Sequence, residues 1–253
     1  GICGDGVGGE SALHLEIEGK ILQDDIECVV HRANIQKSKM QYLKINLIFV
    51  FMKMKLFGMT LAELKAAAVE CGLKPFVGAQ LADWLYVKRV RSWDRMVNIS
   101  KQARQKLSEC YELGCMDPIG RAQSSDGTVK YLFPVECELA GGSEKSAVEA
   151  VMIPDGDRRT LCVSSQAGCK MGCRFCMTGR QGFHGNLDAA AILNQFTGID
   201  EPEALTNTVF MGMGEPLDNY EAVSRVIEVL TAPWGFAWSP KRIALSTIGV
   251  SPK

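Results

Sequence analysis

The residues best placed to do chemistry are three cysteines crowded into eight positions, Cys169-Lys-Met-Gly-Cys173-Arg-Phe-Cys176. Thiolates at this spacing can wrap a short loop around one cluster and ligate three irons of a [4Fe–4S] cube. The spacing differs from the four-cysteine ferredoxin run, so the fourth iron has no evident protein ligand. An open iron can chelate the amino and carboxylate groups of S-adenosylmethionine. Electron transfer then cleaves the sulfonium and releases a 5′-deoxyadenosyl radical, a step the cofactor carries while the protein holds it and excludes side reactions. Gly168 and Gly172 allow the backbone to bend closely around the cube. The competing reading is structural zinc with Cys162 as a fourth thiolate, but zinc sites usually come as two paired knuckles and no second pair lies nearby. Cys71, Cys110, Cys115 and Cys137 have no metal spacing and read as buried small hydrophobes.

A second constellation, Gly212-Met-Gly-Glu-Pro216, follows a strand ending near Met211. Its glycines let a ligand approach the backbone, and Glu215 offers a carboxylate to an ammonium group. A Gly-x-Gly turn alone is weak evidence. At the C-terminal end of a βα-type strand it gains weight, because that edge is where such sheets bind ligands. His184 reads as a polar loop residue and Asp188 as a first-turn acid favoured by the helix dipole.

Several elements must position these residues. Thr60-Leu-Ala-Glu63 is a capping box opening an Ala-rich helix that Gly72 is placed to end. A second helix begins near Phe76, with Val77, Leu81, Trp84 and Leu85 on one face; Ser92 and Ser100 are N-cap candidates for two shorter helices. The β-rich runs Thr128–Val135, Ala147–Ile153 and Arg159–Ser164 suggest a short antiparallel layer. Then helix Leu187–Phe196, strand Thr208–Met211, helix Tyr220–Leu230 and strand Arg242–Thr247 alternate as parallel βα units, too few to close a barrel. The expected division is an unassigned leader at 1–55, a helical accessory unit at 56–115, a β-rich connector at 116–158 and part of a barrel at 159–253.

The 253 residues carry a formal net charge of -1, but from Lys53 to Lys106 eleven Lys/Arg stand against four Asp/Glu. That asymmetry suits a phosphate backbone, or equally the solvated faces of surface helices. The cysteine pattern suits a reducing compartment, and Ile45–Met52 is far too short to span a bilayer. A cytoplasmic monomer with no membrane contact is expected. The chain opens at Gly1 and stops at Lys253 just past a strand-like segment, and both ends read as cuts in a longer frame.

With these motifs in order, the sequence from about Leu56 onward resembles the radical-SAM methyltransferases that modify carbon 2 of adenine in large-subunit ribosomal RNA and in tRNA. The stretches that carry the resemblance are Pro75–Tyr86, Cys162-Val-Ser-Ser-Gln-Ala-Gly-Cys169, the cysteine loop, Gln181-Gly-Phe-His-Gly-Asn-Leu187, Met211–Pro216 and Leu245-Ser-Thr-Ile-Gly249. The implied fold is α/β, a partial radical-SAM (β/α) barrel left open, preceded by a small helical domain and a short antiparallel β segment. The resemblance makes Cys169, Cys173 and Cys176 the cluster ligands, and Gly214, Glu215 and Ser246 the contacts to S-adenosylmethionine. It makes Glu149, thirteen residues before Cys162, the proton acceptor, and Cys162 the thiol that resolves a covalent enzyme–RNA adduct.

In such enzymes one S-adenosylmethionine methylates a further cysteine, and a second yields the radical that takes hydrogen from that methyl group. The methylene radical adds to carbon 2, an electrophilic aromatic carbon without a lone pair for ordinary methyl transfer. rRNA, tRNA and a reducing electron donor are the implied partners. The methyl-carrying cysteine lies downstream in the family, so this stretch of chain is expected to hold the cluster without turning over. The sister activity at carbon 8 shares all these parts, and Gln181-Gly-Phe183 leans toward carbon 2. A zinc-stabilised RNA-binding module would leave Gly212–Pro216 and Ser246 without a task.

Overall fold

The computed structural model describes residues 53–139 and 142–250, and Met54–Lys253 forms one compact unit. The leader expected at 1–55 lies outside the described residues up to position 52.

Thr60 opens helix α1 (Leu61–Glu70) with the expected capping box. Its hydroxyl accepts from the Glu63 N–H, and the Glu63 carboxylate accepts from the Thr60 N–H at 2.7 Å. Both donors belong to a first turn that has no intrahelical partners for them. Gly72 follows the helix with φ of 69°, a left-handed residue where glycine is favoured. Helix α2 (Phe76–Ala82) buries Val77 and Leu81 as their spacing predicts, then widens into a π turn at Asp83–Val87 that seats Trp84, Leu85 and Tyr86 in the core. Helix α3 (Lys101–Cys110) is capped by the Ser100 hydroxyl, which accepts from the Ala103 N–H at 3.2 Å. Ser92 differs from expectation: it precedes one 3-10 turn, Trp93–Arg95, and makes no side-chain cap bond. Parallel strands β1 (Met54–Lys55) and β2 (Tyr111–Glu112) close the helical part.

Strands β3 (Gly120–Gln123), β4 (Val129–Leu139), β5 (Gly142–Asp155) and β6 (Arg158–Cys162) pair antiparallel in succession. Beyond them come a small ladder of β7 (Gln166–Gly168) with β8 (Phe183–Asn186), then β9 (Asn207–Phe210) and β10 (Ile243–Leu245). β9 and β10 continue the main sheet in parallel sense from β6, giving the order β10-β9-β6-β5-β4-β3. The expected antiparallel layer and the barrel strands are therefore one open six-stranded sheet, with β6 as the strand where the pairing sense changes. Parallel pairing needs a long crossover, and α5 (Ala189–Thr197) lies in the connection from β6 to β9, as α6 (Tyr220–Thr231) does from β9 to β10. The short α4 (Met177–Gln181) precedes β8.

Strand alternation sorts the sheet into two faces. Tyr131, Phe133, Val135, Val148, Ala150, Leu161 and Phe210 are buried with residues of α5 and α6 in one core. The other face carries Lys130, Glu149, Val151 and Cys162. Val151 pairs with both Lys130 and Cys162, and Glu149 lies two residues before it, so these side chains share a face.

The helical part is joined firmly to the sheet part. Glu63 takes the Arg225 guanidinium of α6 at 2.6 Å, and buried Asn194 of α5 bridges Gly114 O and Met116 N at 2.9 and 2.8 Å. Tyr86 packs at 5.6 Å from Phe57 and 5.8 Å from Trp234, while Phe236 meets Phe196 and Trp238 edge-on at 6.3 Å each. Of the basic residues between 53 and 106, three turn inward. Arg89 lies over the Phe236 ring, Arg91 pairs with Asp117 at 2.9 Å, and Arg104 donates to Trp93 O at 2.8 Å. Lys65, Lys74, Lys88, Arg95, Lys101 and Lys106 remain exposed.

Candidate active site

Because β6, β9 and β10 run parallel, the segments leaving them emerge at one sheet edge. These are the cysteine loop, the Gly212–Pro216 turn and the Ser246–Gly249 segment. Hydrogen bonds knit them together. Ser165 N and Gln166 N both donate to Met213 O, at 2.9 and 3.1 Å, and Gly212 N donates to Val163 O at 3.0 Å. Ser164 is fully buried: its backbone N–H and C=O are both met by the Gln195 side chain, its hydroxyl donates to Glu149 O at 2.6 Å and accepts from Met213 N at 2.9 Å.

The cysteine loop is closed at its base by the β7–β8 ladder and by Cys169 N donating to Gly182 O at 2.8 Å. Gly168 has φ of 74°, and a Cβ there would lie 1.9 Å from Gly182 O, so only glycine fits this closure. Cys169, Cys173 and Cys176 are all half-buried. Burial pushes the Cys169 thiol up, the Met171 N–H opposes this, and Cys173, Cys176 and Glu215 push it further up. Cys176 stands at the N-terminal boundary of α4, and the Gly179 N–H holds its thiol below the ordinary value against a smaller effect of burial, aided by Thr178. Among the described residues, no three Cys, His, Asp or Glu side chains stand together at metal-ligand distance. What the loop supplies is a donor set: three neighbouring thiols on one short loop, one of them held below its ordinary value by backbone N–H groups. That set fits a cluster requiring three thiolates.

Glu215 is buried, and its carboxylate accepts from Leu217 N at 3.1 Å, Thr247 Oγ1 at 2.5 Å and Ile248 N at 3.1 Å. It thus ties the turn after β9 to the segment after β10, where the sequence suggested only a carboxylate for an ammonium. Ser246 is exposed, its N–H directed to Phe210 O. Gly214 has φ of 99° and sits against Gln166. Glu149 pairs with Lys130 at 2.9 Å. Cys162 is half-buried; burial pushes its thiol up, opposed by the Met211 N–H.

Other expectations need correction. Cys137 is buried, but Cys71 and Cys115 are half-buried and Cys110 is exposed, because positions 71 and 110 fall at helix ends rather than on core-facing stripes. Asp188 is the N-cap of α5, accepting from Ala191 N at 2.6 Å, rather than a residue within its first turn. His184 lies in β8 with its ring near Gln181 O. The sequence reading gave no role to Ser164, Gln166, Asp218 or Asn219. The first two lie inside Cys162–Cys169, and Asn219 is buried with Nδ2 donating to Ser165 O and Leu187 O at 2.8 Å each.

A three-cysteine loop and a glycine turn at the C-terminal edge of parallel strands define a radical SAM protein, and residues 163–253 match the Radical SAM superfamily. Superfamily membership implies a [4Fe–4S] cluster and S-adenosylmethionine. Residues 54–113 match the ribosomal RNA large subunit methyltransferase N-terminal domain. The chain is 56% identical over 197 residues to a Porphyromonas gingivalis protein named probable dual-specificity RNA methyltransferase RlmN, covering 78% of this chain and 54% of that protein. It is 42% identical over 201 residues to the dual-specificity RNA methyltransferase RlmN of Geotalea uraniireducens, covering 79% and 57%. A crystal structure of a radical SAM methyltransferase from Sphaerobacter thermophilus superposes with a TM-score of 0.68 at 34% identity, covering 78% of this chain and 57% of that one. The chain is thus similar to RlmN proteins over nearly four fifths of its own length, and it spans about half the length of the curated relatives it matches. No helix among the described residues is long and apolar enough to cross a membrane.

Proposed function

We propose that this chain is part of a radical SAM methyltransferase that modifies carbon 2 of adenine in large-subunit rRNA and in tRNA. The observation that carries the reading is the convergence of the cysteine loop, the Gly212–Pro216 turn and the Ser246–Gly249 segment on one edge of the sheet. The names of the relatives support RNA as the substrate class, and the exposed lysines and Arg95 of the helical part suit its phosphates. An electron donor is required by the same chemistry.

Cys169, Cys173 and Cys176 would hold the cluster, with Gly214, Glu215 and Ser246 beside S-adenosylmethionine; once bound, these groups would supply carbon-radical chemistry. The protein's own residues prepare the base side. Glu149 and Cys162 project from adjacent strands on the face opposite the core, so a flat base laid there meets a carboxylate and a thiol together. Lys130 holds the Glu149 carboxylate in place, where it would meet a proton leaving the adduct. Burial pushes the Cys162 thiol up, and the Met211 N–H would stabilise the sulfur as it becomes a nucleophile.

Anaerobic reconstitution tests the reading. The expected content is about four iron and four sulfide per chain, lost on replacing Cys173 by serine. One zinc and no iron would refute it. Mass spectrometry of RNA treated with a protein of the relatives' full length is expected to place the methyl group on carbon 2.

A further inference from the structure

Gln166 is fully buried, yet its side-chain amide ends among three separate parts of the site. Its Oε1 accepts from the Glu215 N–H at 2.9 Å. Its Nε2 donates to Asn186 Oδ1 on β8 and to Asp218 Oδ2, each at 2.8 Å. A primary amide has two N–H donors and one carbonyl, so both donors are engaged and the group cannot rotate without losing bonds. Asp218 Oδ2 also takes the Lys170 ammonium at 2.8 Å, and Lys170 is the residue after Cys169, its Nζ 4.3 Å from the centre of the Phe183 ring. A continuous polar chain therefore runs from the Glu215 backbone through Gln166 and Asp218 to Lys170 in the cysteine loop. Packing reinforces it, since a Cβ at Gly214 would lie 2.5 Å from the Gln166 Cβ. The turn rests on the stem of the side chain whose head holds its N–H.

The geometry points to Gln166 as a positioning residue that keeps the cysteine loop and the Gly214–Glu215 turn in one register, with Asp218 as the joint. This rests on the radical SAM reading above, in which one small cofactor touches both segments. A ligand that bridges two independently mobile loops bears the cost of ordering both when it binds; a preformed tie removes that cost beforehand. Gln166 would thus act on S-adenosylmethionine affinity without touching the cofactor.

Two substitutions separate the tie into its halves. Gln166→Met keeps the stem's volume and removes all three bonds. Asp218→Ala removes the Lys170 anchor and leaves the Gln166–Glu215 bond in place. Amide hydrogen exchange on the isolated chain should then split. With Gln166→Met, the Glu215 amide and the amides of 170–176 exchange about tenfold faster, equivalent to ~1.4 kcal/mol. With Asp218→Ala, only 170–176 accelerate. A purely structural role would speed all slow amides together. After reconstitution, equilibrium dialysis should show S-adenosylmethionine affinity lowered about tenfold in both variants at unchanged iron content. Unchanged exchange at Glu215 in Gln166→Met, equal acceleration at every slow amide in both variants, or unaltered affinity would each overturn the assignment. An unsubstituted chain that takes up no iron would instead sink the radical SAM reading, leaving the exchange pattern to stand.

Discussion

Replacing Glu63 by alanine should lower the melting temperature of the chain by about 2–8 °C. The carboxylate does two jobs: it receives the Thr60 N–H at 2.7 Å and both its oxygens take the Arg225 guanidinium at 2.6 Å. Loss of the reciprocal arm of a capping box costs about 0.5–1 kcal/mol. The ion pair adds about 0.2–1 kcal/mol, held down by solvent because both side chains are 40% exposed. The sum of about 1–2 kcal/mol corresponds to roughly 2–4 °C per kcal/mol in a domain of this size. Glu63→Gln should cost less, about 1–3 °C, since glutamine still reaches back to Thr60 and only the charge is lost. pH offers a second handle. Burial raises the Glu63 carboxyl, but the Thr60 N–H, the Arg225 guanidinium and the Thr60 hydroxyl together bring it below its ordinary value of 4.5. A folded-state pKa below the unfolded one stabilises the fold at pH values above the unfolded pKa, and that contribution fades as pH falls through the folded value. Thermal unfolding followed by circular dichroism should therefore show a constant gap between parent and Glu63→Ala from pH 6 to 8, on the order of the figures above, narrowing below about pH 4. A glutamine variant as unstable as alanine, or a gap undiminished in acid, would refute the reasoning.

Three further outcomes follow from buried or exposed groups. Tyr86→Phe strips a hydroxyl that donates to Met59 O at 2.6 Å and accepts from Gly58 N at 3.0 Å, so urea unfolding should show a loss of about 1–3 kcal/mol; a neutral result would mean the two backbone groups find other partners. Ser164→Ala leaves Met213 N and Glu149 O without the hydroxyl, and a similar loss is expected in the same assay, with stability equal to the parent as the contrary finding. Iodoacetamide at pH 8 should label exposed Cys110 in the folded chain and reach buried Cys137 only with denaturant, while Cys71, pushed up to about 11 by burial and by the neighbouring Cys110 thiol, labels slowly. Peptide mass spectrometry reads this directly, and early labelling of Cys137 would contradict the packing.

Features set by short-range rules were legible in the sequence. Thr60 with Glu63 marked a helix start because both bonds of the box close within four residues, and Ser100 did the same. The β-rich run Thr128–Val135 announced the strand that forms as β4. What escaped depends on distant partners. The three residues of β7 and the four of β8 are too few to show a period, and they are strands only because they pair across the cysteine loop. The π turn at Asp83–Val87 keeps Trp84 and Tyr86 inside, a choice made by the surrounding core rather than by propensity. The cysteine spacing named its chemistry in one glance. Gln166 did not, since its partners lie 20 to 52 residues away and nothing local requires an amide there.

The aromatic seam of Tyr86, Phe196, Trp234, Phe236 and Trp238 has a mechanical consequence. Rings packed at this spacing tie the basic helices to α5 and to the segment that follows α6. Any change in the spacing between the exposed lysines and the sulfur-bearing edge that moves the helical part against α6 would first have to part these rings.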